Sequence, residues 1–357
     1  MSFNSRDVSY VLLRHSLFVS KPMTNVAPMR VAIAGEALID FISEVDGRFN
    51  PCLGGAVYNL ARALSRQGLG TLYLNPFSSD KLGQALMQQM VNDGVVLAQP
   101  KPVQAVTSLA VVNLDETGHP NYAFYREGVA DRQVTAAQMI TDCANHNRTI
   151  ELVCSGALAL DARDQAVYLP WLTQQKQSGK CVVIDANLRP SVMPDLPAYQ
   201  RCVQAFLEVA DIIKVSDEDL LALNVPGDTA LQQARHVMQT TQAHLVALTM
   251  GANGAWLLTR QGEYFAHETA HLNIIDTVGA GDSFLAGLLA ALASLNPAGH
   301  SLTQVLQQLQ PQQAHMILGH AIASASLCVQ ERGCVPPTWH QASQWAEQHP
   351  SVQVAAV

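Results

Sequence analysis

The chain has 357 residues, 48% apolar and only 14% charged, which is enough material for a large core and is unlike a disordered composition. Its formal net charge of −8 argues against general binding to nucleic acid or to an anionic membrane, both of which rest on an excess of Lys and Arg. A phosphorylated small ligand stays admissible, because a few local cations and backbone N–H groups hold one phosphate chain.

In chain order, residues 8–19 are apolar but interrupted by Arg14 and His15, too short and broken to span a bilayer and a poor secretory signal. Residues 1–28 read as a poorly ordered N-terminal extension. MRVAIAG (29–35) is a short apolar run ending in Gly, which predicts a buried strand. Residues 57–68 place Val57, Leu60, Ala61 and Leu64 on one helical face with Gly68 as the stop. TLYLNPF begins another strand, and LGQALMQQMVNDGV is a helix closed by Gly94. Strands follow at 109–113, 122–125, 151–155, 181–185, 211–215, 245–249 and 255–258, most of the later ones separated by helical stretches. This alternation predicts an α/β fold with a mostly parallel sheet covered on both faces.

Residues 39–53 and 104–127 break the rhythm. The second reads as strand, turn (DETGHP), strand, and both are expected to stand outside the main sheet as a small β lid. No repeat and no Gly/Ser linker divides the chain, so residues 29–345 read as one domain followed by a tail at 346–357. Seven cysteines, without a CxxC, predict reduced buried thiols in the cytoplasm. The twelve histidines lack HExxH spacing, and no protein-bound zinc is expected.

The chemistry concentrates where strands end. In DTVGAGDSFLAG (276–287), Gly279, Ala280 and Gly281 precede a helix predicted to begin at about Asp282 or Ser283. Unpaired N–H groups at a helix start, approached through small residues, form an anion pocket. Asp282 there is either a plain N-cap or a base that takes a proton from an attacking hydroxyl. Gly54 and Gly55 open a second helix carrying Asn59; the alternatives are a packing turn and a backbone approach to ligand. Asp40 follows the first strand, either as a polyol acceptor or as an ordinary loop acid. Asn187 and Arg189 suit a phosphate or a substrate oxygen. Ser216 and Asp219 form a capping-box pattern, with an outer-sphere Mg²⁺ contact as the alternative for Asp219. Gly251 and Gly254 lie in a turn that is either a hairpin or a nucleotide platform. In a parallel sheet these strand ends share one edge, where ligands bind.

These motifs resemble the ribokinase-like carbohydrate kinases of the PfkB type, from about residue 30 to about 340. DTVGAGDSFLAG fits the C-terminal signature throughout; GGAVYN is similar to the N-terminal one. The resemblance implies a three-layer α/β/α Rossmann-like fold with a β lid, and transfer of the ATP γ-phosphoryl to a sugar hydroxyl. It implies Asp282 as base and the N–H groups of Gly279, Ala280 and Gly281 as anion hole. Asp40, Gly54, Gly55, Asn59, Tyr125, Arg126, Asn187 and Arg189 fall to the sugar, with Arg126 reaching over it from the lid. Lys214, Ser216, Asp219, Thr249, Gly251 and Gly254 fall to the nucleotide side. The family's NxxE segment reads Ser216 to Asp219 here, implying a Mg²⁺ contact through water. Asp276 matches a monovalent-cation position, for K⁺, with carbonyls near Val278 and Cys328 to Gly333. Homodimers through such a lid are expected.

YAFYREGVAD and DANLRP look most like bacterial fructokinases, which implies D-fructose as acceptor. The alternatives are 2-keto-3-deoxygluconate, whose carboxylate Arg126 would pair, another hexose, or a nucleoside. A silent sugar-binding regulator on the same scaffold has no need of Asp282. An NAD-dependent enzyme is disfavoured because GEALID, not GxGxxG, follows the first strand.

Overall fold

The computed structural model describes residues 29–43, 46–114, 120–146, 150–296 and 301–351. The N-terminal extension, most of the DETGHP turn and the last residues of the tail lie outside the described residues.

The chain begins with β1 (Met29–Ile33), β2 (Leu38–Ser43) and β3 (Phe49–Gly54). Then come α1 (Ala56–Arg66), β4 (Gly70–Tyr73), α2 (Lys81–Asn92) and β5 (Val96–Leu97). A strand pair, β6 (Ser108–Leu114) and β7 (Pro120–Tyr125), precedes α3 (Ala136–Asn145). Strand and helix then alternate through β8 (Leu152–Gly156), α4 (Gln165–Gln177), β9 (Cys181–Asp185), α5 (Leu196–Val209) and β10 (Ile212–Ser216). The helices α6 (Asp217–Ala222) and α7 (Ala230–Thr240) lead to β11 (Leu245–Thr249), β12 (Ala255–Thr259) and β13 (Glu263–Ala266). Four helices finish the described chain: α8 (Ala280–Ser294), α9 (Leu302–Gln307), α10 (Pro311–Cys328) and α11 (Trp339–Gln348). The last of these runs past residue 345.

Nine strands form the main sheet in the order β13-β12-β11-β10-β9-β8-β1-β4-β5. Pairing is parallel from β5 to β11 and antiparallel only at β12 and β13. Side chains on a strand alternate between faces. Val31 and Ile33 therefore join a core with α1, α8 and α10, while Ala32 and Ala34 join a second core with α3, α4, α5 and α7. Both faces are buried, which explains the unbroken apolar runs in the sequence. The predicted three-layer α/β/α architecture is what the chain adopts.

The two rhythm-breaking segments pair with each other. They form a separate four-stranded sheet, β3-β2-β6-β7, whose central β2–β6 pair is parallel and whose outer pairs are antiparallel. β2 follows β1 almost directly, so the lid stands over the C-terminal ends of the main strands. Short β5 and β13 carry no periodicity long enough to read in the sequence. Of the seven cysteines, all free, six are buried and Cys52 is half-buried on the lid. Among the described residues no helix is long and apolar enough to cross a membrane.

Candidate active site

Two cavities open along the C-terminal edge of the main sheet. One, of about 580 Å³, lies under the lid and is lined by Asp40, Tyr122 and Phe124 on the lid side and by Glu36, Asn59, Asn187, Arg189, Lys214 and Asp282 on the body side. The other, of about 560 Å³, is bordered by Thr249, Gly251 and Gly254 after β11 and by apolar Ile274, Phe284 and Ile322. They meet at the start of α8, where Thr277 and Gly281 line both.

That helix begins two residues earlier than expected. Its N-cap is Gly279, held left-handed at φ 80°, and Asp282 is the third helical residue. The plain N-cap alternative for Asp282 is thereby corrected: Gly279 has taken the cap position, and no side chain caps the helix. A methyl on Gly279 would overlap Cys334 Sγ, so both the backbone angle and the space demand glycine. The N–H of Ala280 turns back to the Thr277 carbonyl at 3.2 Å, and Ser283 N–H bonds Gly279 O at 2.8 Å. The Gly281 and Asp282 N–H groups, without intrahelical acceptors, are the ones that head the helix.

Asp282 is 5% exposed and borders the cavity that Asp40 lines. Burial pushes its carboxyl up to about 8; the neighbouring charge of Asp185 adds to this, and Lys214 and Asn59 oppose it. Lys214 Nζ lies 2.9 Å from Asp185 Oδ1 and beneath Gly281. Its own pKa is raised: burial pulls it down, but Asp185 and Asp219 outweigh the burial.

At the lid end of the first cavity, burial pushes Asp40 up to about 6 against the pull of Arg189. Gly54 lines neither cavity, but a side chain on it would overlap the Asp40 carboxylate, so it makes room for that acid. Gly55 is the N-cap of α1 at φ 105°, where a β-carbon would crowd Glu36 O. Glu36 substitutes for a capping side chain: its Oε1 accepts the Ala56 N–H at 3.0 Å, while buried Oε2 has no protein partner. Burial pushes Glu36 up to about 7, with Arg126 opposing. Asn59 Oδ1 is likewise buried without a protein partner at this cavity. Arg189 lies over the Tyr122 ring at 5.7 Å and donates to Asn187 Oδ1 at 2.7 Å.

Two residues expected at the sugar lie elsewhere. Tyr125 and Arg126 line neither cavity. β7 alternates, so Tyr122 and Phe124 face the cleft and Tyr125, 62% exposed, faces away. Arg126 turns inward, pairing with Asp131 at 3.1 Å and donating to the Leu158 carbonyl at 3.3 Å. It anchors the lid from inside and does not reach over the cavity.

Ser216 and Asp219 make the expected capping box and also line neither cavity. Asp219 accepts the Leu188 N–H at 2.7 Å and the Ser216 N–H at 2.8 Å, one on each oxygen. A carboxylate so committed suits a metal contact through water better than direct ligation. Asp276 accepts the N–H of Val278 at 3.0 Å and of Gly333 at 2.9 Å, tying two loops together beside the cavity and leaving a lone pair on each oxygen. Asp40, Gly55, Asn59, Asn187, Arg189, Lys214, Asp276, Gly279, Gly281 and Asp282 thus share the first cavity. Thr249, Gly251, Gly254, Ala280 and Gly281 share the second.

Sequence reasoning passed over Glu36, Asp185, Tyr122 and Phe124. An acid at the end of an apolar strand is the signal for Glu36 and Asp185. The period of two in YAFY is the signal for the two rings.

Comparison with known proteins agrees with this geometry. The chain matches the pfkB family carbohydrate kinase over residues 29–341. It is 30% identical over 266 residues to a fructokinase of Rhizobium leguminosarum bv. trifolii, covering 73% of this chain and 79% of that one. Among solved structures it is similar to a Xylella fastidiosa fructokinase with bound ATP, with a TM-score of 0.75 and 24% identity over 90% of this chain and 98% of that one. A Vibrio cholerae fructokinase double mutant, solved with fructose, ADP and potassium ion, gives 0.72 and 23% over 89% and 98%. Fold, signature loop and paired cavities converge, and the chain belongs to the pfkB family of carbohydrate kinases.

Proposed function

We propose that this carbohydrate kinase transfers the γ-phosphoryl group of ATP to the terminal hydroxyl of D-fructose, giving fructose 6-phosphate. The observation that carries the reading is the shared boundary at α8: Asp282 faces the cavity under the lid, and Gly281 belongs to both cavities. The sugar occupies the polar cavity, with Asp40, Asn59 and Arg189 on its hydroxyls. The adenine of ATP lies against the apolar wall of Ile274, Phe284 and Ile322.

Asp282 takes the proton of the sugar hydroxyl as that oxygen bonds to the γ-phosphorus. The bond from phosphorus to the ADP oxygen breaks, and ADP leaves. The N–H groups heading α8 and the Lys214 ammonium meet the negative charge that builds up on the transferring group. Asp219 would hold Mg²⁺ through water, and the bound ion would supply further neutralisation of the phosphates. K⁺ belongs beside Asp276, whose loop it would stiffen. The lid excludes water, a competing acceptor.

Neutrality of the acceptor is supported by the commitments of the nearby cations: Arg189 is turned to Asn187 and Asp40, Lys214 to Asp185, and Arg126 lies outside the cavity. Arg126 is committed to Asp131, while Glu36, Asp40 and Asp282 border the cavity. The reading includes a homodimer joined through the lid and a cytoplasmic location; sedimentation velocity tests the first. The deciding experiment is an ADP-release screen with Mg²⁺, with and without K⁺, over fructose, 2-keto-3-deoxygluconate, ribose and nucleosides. Fructose is expected to give the highest kcat/KM. Preference for the sugar acid or a nucleoside would overturn the acceptor, and no turnover on any would favour a silent binder.

A further inference from the structure

α10 ends at Cys328, and the chain turns back through residues 329–333 to bring Cys334 against the start of α8. The two sulfurs come to consecutive residues of one loop, Val278 and Gly279. Cys328 Sγ donates to the Val278 carbonyl at 3.6 Å. Cys334 Sγ packs on Gly279 so closely that a methyl there would overlap it. The connecting loop holds Asp276 in turn: Gly333 N–H donates to its carboxylate at 2.9 Å, and the Val329 carbonyl accepts its N–H at 3.2 Å. Cys328 is fully buried, whereas Cys334 borders the cavity under the lid, open to a small solute.

We propose that Cys328 and Cys334 are a reversible oxidation site, closed to a disulfide by a hydroperoxide entering through the sugar cavity, and that closure disables phosphoryl transfer. The Cys334 sulfur attacks one peroxide oxygen; an S–O bond forms, the O–O bond breaks, and the leaving hydroxide takes the thiol proton as water. The Cys328 sulfur then attacks the Cys334 sulfur; the S–S bond forms, the S–O bond breaks, and hydroxide leaves with the second thiol proton. Two thiols and one hydrogen peroxide give one disulfide and two waters.

A disulfide holds its sulfurs at about 2.0 Å, well inside the contact distance of two free thiols. Cys328 then has no proton for the Val278 carbonyl, and Cys334 is drawn from Gly279. The cap of α8 and the Asp276 loop lose their support together. A misplacement of about 1 Å at an aligned phosphate lowers the rate on the order of 10²-fold.

The effect on turnover rests on the proposed kinase reaction; the site itself does not. The test treats the full chain with hydrogen peroxide, blocks free thiols, and digests with trypsin, which cuts after Arg332 and separates the two cysteines. A linked pair of peptides containing Cys328 and Cys334 is expected, with kcat falling on the order of 10²-fold and returning with dithiothreitol. Cys328→Ser and Cys334→Ala, each compared with its own reduced activity, are expected to lose the sensitivity, while Cys52→Ser keeps it. Absence of the linked pair in peroxide-treated wild-type protein would overturn the site without any variant. A linked pair with unchanged turnover, or equal inactivation of Cys328→Ser, would overturn its effect. A linked pair in a protein that phosphorylates no sugar would leave the oxidation site standing and remove the kinase reading instead.

Discussion

Lys214 Nζ lies 2.9 Å from Asp185 Oδ1, and this buried pair sits beneath Gly281, one of two residues that line both cavities. The ammonium is therefore fixed at the start of α8 and already matched by one acid. Asp282, the next acid along, is left without a full counter-charge, and burial together with Asp185 keeps its carboxyl high.

Asp185→Asn should move the rising limb of the pH profile of kcat/KM to lower pH. In the proposed reaction Asp282 must be ionised, and with its carboxyl pushed up to about 8 the wild-type kcat/KM is expected to climb with pH and level off above that value. Removing the neighbouring negative charge stabilises ionised Asp282. An unmoved midpoint would show that Asp185 does not govern the base.

Asp282→Asn should lower kcat on the order of 10²–10⁴-fold while ATP still binds. It should also change stability with a definite sign. The native pKa lies above the unfolded value of 3.8, so the stability this group contributes is complete below that value and lost as pH rises through about 8. The neutral Asn escapes that loss. The variant should therefore melt above the wild type at pH 8–9, with the gap closing towards pH 4. A constant gap across that range would refute the assignment of the shift.

The general layout was legible because buried parallel strands write continuous apolar runs, and because DTVGAGDSFLAG is local in sequence. The start of α8 was misplaced by two residues because the helix begins on a left-handed glycine, while an acid is the more familiar cap. Arg126 was misassigned because sequence order gives no side-chain direction. Its partners, Asp131 and Leu158, are brought to it by the fold. Glu36 was missed because its hydrogen bond to Ala56 crosses from the β1–β2 turn to α1, a contact no periodicity encodes.

Arg126→Ala and Arg189→Ala should separate structure from recognition. Losing Arg126 leaves Asp131, 2% exposed, without its cation, which should cost about 3–5 kcal/mol of stability and lower the melting temperature. Losing Arg189, which stands beside Asp40 and Tyr122, should raise KM for the sugar with little change in melting. Thermal melts and steady-state kinetics on both variants check this; the opposite pattern would return Arg126 to the sugar.

Gly279→Ala should cost about 1–2 kcal/mol from the left-handed backbone alone, plus the overlap with Cys334. Its kcat should fall more than its affinity for fructose, because the displaced residue is the cap of the helix whose N–H groups are proposed to meet the phosphate. Chemical denaturation and kinetics measure the two effects; wild-type kcat would place the anion hole elsewhere.

The lid descends from two short inserts, one after β1 and one after β5, whereas the apolar wall of the second cavity is drawn from the last third of the chain. The roof of the first cavity and the apolar wall of the second are thus encoded by separate stretches of the gene. On the proposed reading, exchanging the rings at Tyr122 and Phe124 would retune which alcohol is welcomed while the second cavity stays as it is, so new substrate preferences are within reach of a few codons.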